Sequence, residues 1–321
     1  MYEWHRQVQV IVDSIDDHIR NRDREALTLA SLAGELGYSE FHASRKFREV
    51  SGMPLRDYLR RRRLSFALLE VRDTQRSFLD IAVDYGFGSH EAFTRAFKQM
   101  FGVTPGRYRA LPVPVVLRTC VFPFDRYTLG LKGEAMAISS DAVKVYFVQI
   151  PAHRFLYVAN YESSGYFDFW EKQALVEGQD CDTICGLLDS IAGKLDGDDD
   201  KIGVYSGQIM AHVYEGAGGA GAGADRVAEA YGIRLAPDWD GVAPEQMLLM
   251  DVAEAEYVVF EHGPFDFERD CEVVGDALQA AIAGFDFADS GYALDESPGR
   301  VAYFYFDPEQ YEKRIRPVVK K

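Results

Sequence analysis

Apolar residues follow a helical rhythm through the first third of the chain. Trp4, Val8, Ile11, Val12, Ile15 and Ile19 make one stripe, which predicts a leading helix with a single buried face. Leu29, Leu32, Ala33 and Leu36 resume the rhythm behind Thr28, a residue suited to an N-cap. Gly37 then offers a turn, and a helix over about 39–51 opens on Ser39 with Phe47 and Val50 inward. The unit is written twice. LASLAGELGYSEFHASRKFREVSGMPLRDYLR, from Leu29, is matched by FLDIAVDYGFGSHEAFTRAFKQMFGVTPGRYR, from Phe78. Ala33 and Gly37 return 49 residues on as Ala82 and Gly86; Ser39, Arg45, Phe47, Gly52 and Tyr58 return 50 residues on. One residue inserted in the second turn accounts for the change. Helix, glycine turn, helix is the sequence form of a helix-turn-helix, and two copies let one chain address two successive major grooves.

Between the copies, Leu59, Leu64, Ala67, Leu68 and Val71 predict a long helix over about 55–72. It also carries Arg60, Arg61, Arg62 and Arg63, which circle the helix. At most two of them can face one phosphate backbone, so at least one more is expected to pack or to pair with Glu70, Asp57 or another acid. LPVPVV at 111–116 ends the helical region, because two prolines stop a helix and favour extended chain. The stretch 111–143, including PFDRY at 123–127, then reads as a linker.

From Val145 the period falls from helical to alternating. VYFVQIPAHRFLYVANY and QMLLMDVAEAEYVVFEHGPF both read as strand–turn–strand, and Val148, Ile150 and Phe155 recur 102 residues on as Met250, Val252 and Tyr257. Each copy leads to a helical pattern, over about 182–196 and 269–284, and closes with further strands, IGVYSGQIMAHVY and RVAYFYF. The expected fold is therefore multidomain: an all-α N-terminal domain with two helix-turn-helix motifs, residues 1–110, and an α+β C-terminal domain, residues 144–321. The latter is built from two pseudo-symmetric βαββ-like halves facing a cleft.

Charge separates the two parts. The net charge of −16 looks wrong for a DNA binder until it is divided. Residues 1–110 hold 18 Lys/Arg against 15 Asp/Glu, and residues 111–321 hold 17 against 36. Only the first part can present a basic face to phosphates; the second would be repelled. No apolar run approaches the roughly 18–20 residues that span a bilayer, so no membrane association is expected. The N-terminus has no signal-peptide core, and the four cysteines have no framework spacing, which together suggest a cytoplasmic protein.

The second helix of each copy carries the candidate DNA chemistry. Phe41, Ser44, Arg45 and Arg48 have outward options on the first, and His90, Glu91, Thr94, Arg95 and Lys98 on the second. Arg45 and Arg95 occupy one position of the duplicated motif, and a guanidinium fork can donate to both O6 and N7 of guanine. In the second part the signal is aromatic density beside acids. Tyr157 and Tyr161 share a strand face, as do Tyr303 and Tyr305; Tyr166, Trp170, Tyr205 and Tyr257 lie nearby in sequence pattern, and Glu261 offers countercharge. Such a set suits a small organic effector, aromatic or cationic.

Other chemistry is weakly signalled. GAGGAGAG at 216–223 lacks the Lys-Ser/Thr of a phosphate loop and reads as a hairpin tip. Cys181 and Cys185 lack clustered histidines, so neither metal nor cofactor is expected, and no nucleophile motif such as GxSxG appears.

The residues of about 5–110 closely resemble the AraC/XylS family of transcription regulators, most specifically through IAVDYGFGSHEAFTRAFKQMFGVTPGRYR. The resemblance implies base-edge contacts at Phe41, Ser44 and Arg45 and at His90, Glu91 and Arg95, with double-stranded DNA as partner and RNA polymerase as a further candidate. Glu91 departs from the uncharged polar residue expected there; it would accept from a cytosine amino group or weaken that half-site. About 144–318 resembles the GyrI-like effector-binding domain, through NYESSGYFDFWEKQ, EAYGIRL and AEYVVFEHGPF. That family often places a glutamate in its last strand two residues before a tyrosine; here Tyr303 stands there, ahead of Tyr305, which allows a neutral aromatic ligand. The expected function is a non-enzymatic, ligand-responsive transcription regulator. A small-molecule hydrolase or a protein-interaction module in the C-terminal domain are the alternatives.

Overall fold

The computed structural model describes residues 3–23, 25–118, 143–196, 207–216, 226–265, 267–306 and 311–321. Tyr205, the 123–127 stretch and most of the glycine run at 216–223 lie outside them. Contacts divide the chain into two compact units. The first holds the helical N-terminal part and also Asp182–Ile191; the second holds the β-rich remainder.

In the first unit α1 (Glu3–Arg20) leads into α2 (Leu29–Glu35) and α3 (Glu40–Ser51). The long α4 (Leu55–Asp73) connects to the second copy, α5 (Phe78–Asp84) and α6 (His90–Phe101), followed by α7 (Pro105–Ala110). The duplicated sequence produces duplicated stereochemistry. Thr28 and Ser77 cap the first helix of each pair, accepting from Ser31 N at 3.1 Å and Asp80 N at 3.1 Å. Ser39 and Ser89 cap the second, accepting from His42 N at 3.3 Å and Ala92 N at 3.1 Å. Gly37 and Gly86 make the turns at φ 72° and 74°, a left-handed conformation that costs other residues about 1 kcal/mol or more. Val8, Ile11, Val12 and Ile15 of α1, Phe47 of α3, Tyr58 and Leu68 of α4, and Phe93 and Phe97 of α6 share one core.

The pairing expected of the α4 arginines falls to Arg62. Its side chain is fully buried, with Nε donating to Asp16 Oδ1 at 2.9 Å and Nη2 to Asp16 Oδ2. Nη1 donates to the Arg118 carbonyl at 2.6 Å, and Ser65 Oγ accepts from Arg118 N at 2.9 Å. The extended chain through Val115 and Leu117 is thus held on α4.

The same segment receives α9 (Cys181–Ser190), which lies in the C-terminal half of the sequence. Leu117 N donates to Gly186 O at 3.2 Å, Val115 N to Ser190 Oγ at 3.1 Å, and Arg72 Nη1 to Ser190 O at 2.6 Å. Gly186 permits this approach, since a Cβ there would meet Leu117 O at 2.5 Å. Gly186→Ala is expected to destabilise the helical unit by about 1–3 kcal/mol through overpacking. A urea midpoint for that unit equal to the parent's would show that α9 is not held this closely.

The second unit is a single sheet. Its strands are β1 (Lys144–Ile150), β2 (His153–Asn160), β3 (Gln208–Glu215), β4 (Arg226–Leu235), β5 (Leu248–Val252), β6 (Ala255–His262), β7 (Tyr292–Leu294), β8 (Val301–Phe306) and β9 (Glu312–Lys320). The order is β1-β6-β9-β8-β3-β4-β2-β5, with β7 on β9, and every pairing is antiparallel. Read backwards with β1 exchanged for β5, β2 for β6, β3 for β8 and β4 for β9, the order is unchanged. This is the pseudo-symmetry that the repeat at 102 residues implies.

The strand–turn–strand runs are not hairpins, however. β1 pairs with β6 and β5 with β2, so each half lends its first strand to the other. The connections explain it: Pro151-Ala152 and Ala253-Glu254 lack the Gly or Asn that two-residue hairpin turns require. α8 (Tyr166–Gln173) packs at β2, where Asn160 Nδ2 donates to Gln173 Oε1 at 3.0 Å. α10 (Phe267–Gly284) covers β6, with Val274 and Leu278 against Val258 and Phe260. Among the described residues no helix is long and apolar enough to cross a membrane.

Candidate nucleic-acid interface

The helices α3 and α6 present matching surfaces because their sequences alternate inward and outward in step. Ala43 and Phe47 are buried on α3, and Phe93, Ala96 and Phe97 on α6. Phe41, Arg45 and Arg48 are exposed on α3, as Glu91, Arg95 and Lys98 are at the equivalent positions of α6, and Ser44 and Thr94 are half-buried on each. Phe41 is 79% exposed, so its ring is open to contact from outside the helix.

The charges on these faces are lightly held. Arg45 Nε lies 3.3 Å from Glu49 Oε1, an exposed pair one turn apart that a stronger acceptor would displace. Lys46 holds Glu49 more closely, at 2.7 Å, and draws its carboxyl below the usual range. Arg95 makes no ion pair among the described residues. His90 is engaged on its own helix, with Nε2 3.4 Å from Thr94 Oγ1 and its ring stacked on Phe78 at 6.1 Å. Glu91 is held below the usual carboxyl range by its own backbone N–H and the Ser89 hydroxyl. Its charge thus sits at the amino end of α6, where it favours the helix.

In the β unit, the tyrosines that the sequence groups around a cleft divide into two sets. Tyr157, Tyr257 and Tyr303 are buried at 4%, 0% and 1% exposure. Their rings pack with Phe155: it stacks on Tyr157 at 5.1 Å and meets Tyr303 edge-on at 5.6 Å, and Tyr257 lies 6.2 Å from Tyr303. Burial pushes the hydroxyls of Tyr157 and Tyr257 up to about 12, so they stay neutral. Tyr303 OH lies 2.5 Å from His153 Nε2, and the Arg234 guanidinium, paired with Asp196 at 2.6 Å, sits 5.5 Å from the Tyr303 ring.

Tyr161 and Tyr166 are exposed and Tyr305 is half-buried. Tyr161 OH donates to Glu215 at 3.0 Å. Trp170 packs edge-on against Tyr231 at 4.8 Å on the α8 side. Glu261 already has company: Tyr146 OH donates to it at 2.7 Å, and Lys313 and Lys144 stand at 3.1 and 3.8 Å. The three described cysteines, Cys181, Cys185 and Cys271, are free thiols, and the described residues contain no metal-binding group of His, Cys, Asp and Glu.

Burial lowers the pKa of both His153 and His212 below the ordinary 6.5. The unfolded chain therefore binds these protons more readily than the folded one. Stability of the β unit is expected to be full above about pH 6.5 and to fall as pH drops through that value, by up to ~1.4 kcal/mol per pH unit for each histidine. Urea midpoints at pH 7.5 and 5.5 check this, and an unchanged midpoint would contradict it.

A family model described as a helix-turn-helix domain matches residues 32–111. The regulatory protein SoxS of Salmonella typhimurium is 39% identical over 106 residues, which cover 33% of this chain and 95% of that protein. The chain belongs to the AraC family. The right origin-binding protein of Escherichia coli K12 is 44% identical over 88 residues, 27% of this chain and 30% of that one. The chain thus spans less than a third of the first curated relatives it matches. The solved C-terminal domain of EcmrR covers 56% of this chain and 99% of its own, at 12% identity and a TM-score of 0.32.

Within this AraC-family frame the outward positions read from the repeat, Phe41, Arg45 and Arg48 on α3 and His90, Glu91, Arg95 and Lys98 on α6, are exposed, while Glu40, Glu49 and Gln99 are exposed as well and were not among them. In the sequence Arg60 and Arg63 stand out only as members of the arginine run on α4, and Arg56 not at all. Their arginine content was visible, but only the structure shows that Arg56, Arg60 and Arg63 line one cleft with Leu27, Leu29 and Phe87.

Proposed function

We propose that this protein is a sequence-specific DNA-binding transcription regulator whose C-terminal part senses a small organic ligand. DNA reading is assigned to residues 1–110 and effector binding to 144–321, joined by 111–143. The observation that carries the reading is the position-by-position match of exposed side chains between α3 and α6. Two such helices on one chain enter adjacent major grooves, about 34 Å apart along the duplex. Arg45 and Arg95 donate to base edges, Phe41 offers an apolar surface to a thymine methyl, Ser44 and Thr94 add hydroxyls, and Arg48 meets phosphate. His90 stands at the start of α6 beside Glu91, whose charge selects against nearby phosphate and for a cytosine amino group.

The effector is a neutral aromatic rather than a cation. Glu261 is compensated by Lys144 and Lys313, and Tyr303 occupies the place of an acid. The partly open rings of Tyr161 and Tyr305, on the sheet face that Tyr157, Tyr257 and Tyr303 share, supply entry to that buried set. Tyr166 and Trp170, on the α8 side with Tyr231, are assigned to the same ligand from the other face. Tyr205 belongs to the same assignment. A ligand changes DNA affinity only as far as it binds one conformation better than another. RNA polymerase is the further partner that a regulator of this kind would engage.

The test titrates neutral aromatics and quaternary ammonium aromatics into the intact protein, reading thermal midpoint and affinity for a selected duplex. A neutral aromatic is expected to raise the midpoint and shift DNA affinity, and Tyr161→Ala and Tyr305→Ala to weaken both effects. Preference for the cations, or binding with no change in DNA affinity, would overturn the assignment.

A further inference from the structure

An open cleft of about 580 Å³ lies in the helical unit, between the two helix-turn-helix copies. That volume is within the range of small-molecule sites, roughly 300–1,000 Å³. Its walls mix apolar groups, from Leu29 and Leu59 to Phe87, with polar ones: three arginines of α4, Arg56, Arg60 and Arg63, and Glu40 as the single carboxylate. None of the three arginines has an ion-pair partner among the described residues. Arg60 donates to Gln99 Oε1 at 3.0 Å and Arg63 Nη2 to the Leu27 carbonyl at 2.5 Å, both neutral acceptors. Arg63 Nε is buried and makes no hydrogen bond, and burial pulls its pKa below the ordinary value. A half-buried guanidinium with no countercharge and an unsatisfied Nε is an arrangement that an anion would improve.

We propose that this cleft is a binding site for a small organic anion, a carboxylate, sulfonate or phosphate ester on an apolar body. The body lies against Leu29, Leu59 and Phe87, and the anionic head meets Arg63 from within and Arg56 and Arg60 from the rim. Arg63 ties this site to both copies. Its Nη2 holds the chain at Leu27, just before α2, and its Nη1 lies 3.3 Å from where a Cβ on Gly86 would stand. An anion that draws the guanidinium inward competes with the Leu27 hydrogen bond, so occupancy is felt at the base of the first motif and the turn of the second. This site is separate from the effector site assigned to the β unit and does not depend on it.

The probe is 8-anilinonaphthalene-1-sulfonate, an aromatic sulfonate whose fluorescence rises in apolar surroundings, titrated into the intact protein. A saturable site is expected that weakens by about tenfold or more in Arg56→Gln and Arg63→Gln, as loss of a charge-assisted hydrogen bond implies. Ala30→Phe, which fills the cavity without touching charge, should weaken it as far, and it carries the test if Arg63→Gln fails to fold. Tyr161→Ala should leave the site unchanged. Titrations of Ala30→Phe and Arg56→Gln that superimpose on the parent's would overturn the proposal. So would loss of duplex affinity in Arg56→Gln and Arg60→Gln with the sulfonate site intact, because the cleft would then be a seat for a DNA phosphate.

Discussion

Arg62→Met is expected to cost the helical unit about 3–5 kcal/mol, enough to unfold many small domains. The methionine replaces the apolar stem of the arginine and lacks the guanidinium, so the main loss is that of the ion pair and its hydrogen bonds. Asp16, only 3% exposed, would lose both hydrogen bonds from the guanidinium and be left buried without them. The Arg118 carbonyl would lose its donor as well, loosening the segment through Val115 and Leu117 that packs on α4 and α9. Removing both charges tests the cause. Asp16→Leu with Arg62→Met should recover most of the loss, since an apolar pair of similar volume replaces a buried ion pair at little cost. Urea unfolding of the intact chain, followed through helical signal, provides the measurement. A single variant with an unchanged midpoint would show that the pair is not buried as described.

The second large effect concerns DNA. Arg45→Ala and Arg95→Ala are each expected to lose about 1–3 kcal/mol on a specific site, with little loss on random duplex. They stand on different helices with no shared partner, so the double variant should lose close to the sum. Arg48→Ala is the useful contrast: a phosphate contact weakens all sequences alike and lowers the salt dependence. Fluorescence anisotropy on selected and scrambled duplexes separates the two behaviours. If Arg45→Ala and Arg95→Ala both bind the selected site like the parent, the outward faces of α3 and α6 are not the reading surface.

The helical unit was legible in the sequence because its signals are local. Ser39 and Ser89 cap helices by bonding three residues ahead, and Gly37 and Gly86 adopt a conformation that few other residues tolerate. The burial of Phe47 and Phe97 follows from period alone. Arg62 shows the limit. Four consecutive arginines dictate that some must pair or pack, but only the approach of α1 selects Arg62 and supplies Asp16 from 46 residues away.

The β unit shows the limit again. Alternation and the repeat at 102 residues give strands and symmetry, yet not that β1 and β5 exchange partners, because strand pairing is decided by contacts far apart in the chain. Tyrosines on a common face follow from alternation too. That Phe155 fills the space between Tyr157 and Tyr303 does not. Nor does sequence order show that α9 packs on Val115 and Leu117, for which the one clue was a glycine, Gly186, in the middle of a helix.

The central claim is that one chain reads two adjacent major grooves. Selection of bound duplexes from a random library, with the intact protein at near-physiological salt, tests it most directly. Two conserved half-sites about ten base pairs apart, bound by a single chain, are the predicted result. Recovery of no motif, with binding that disappears as salt rises, would mean that the affinity is charge alone and would contradict the account.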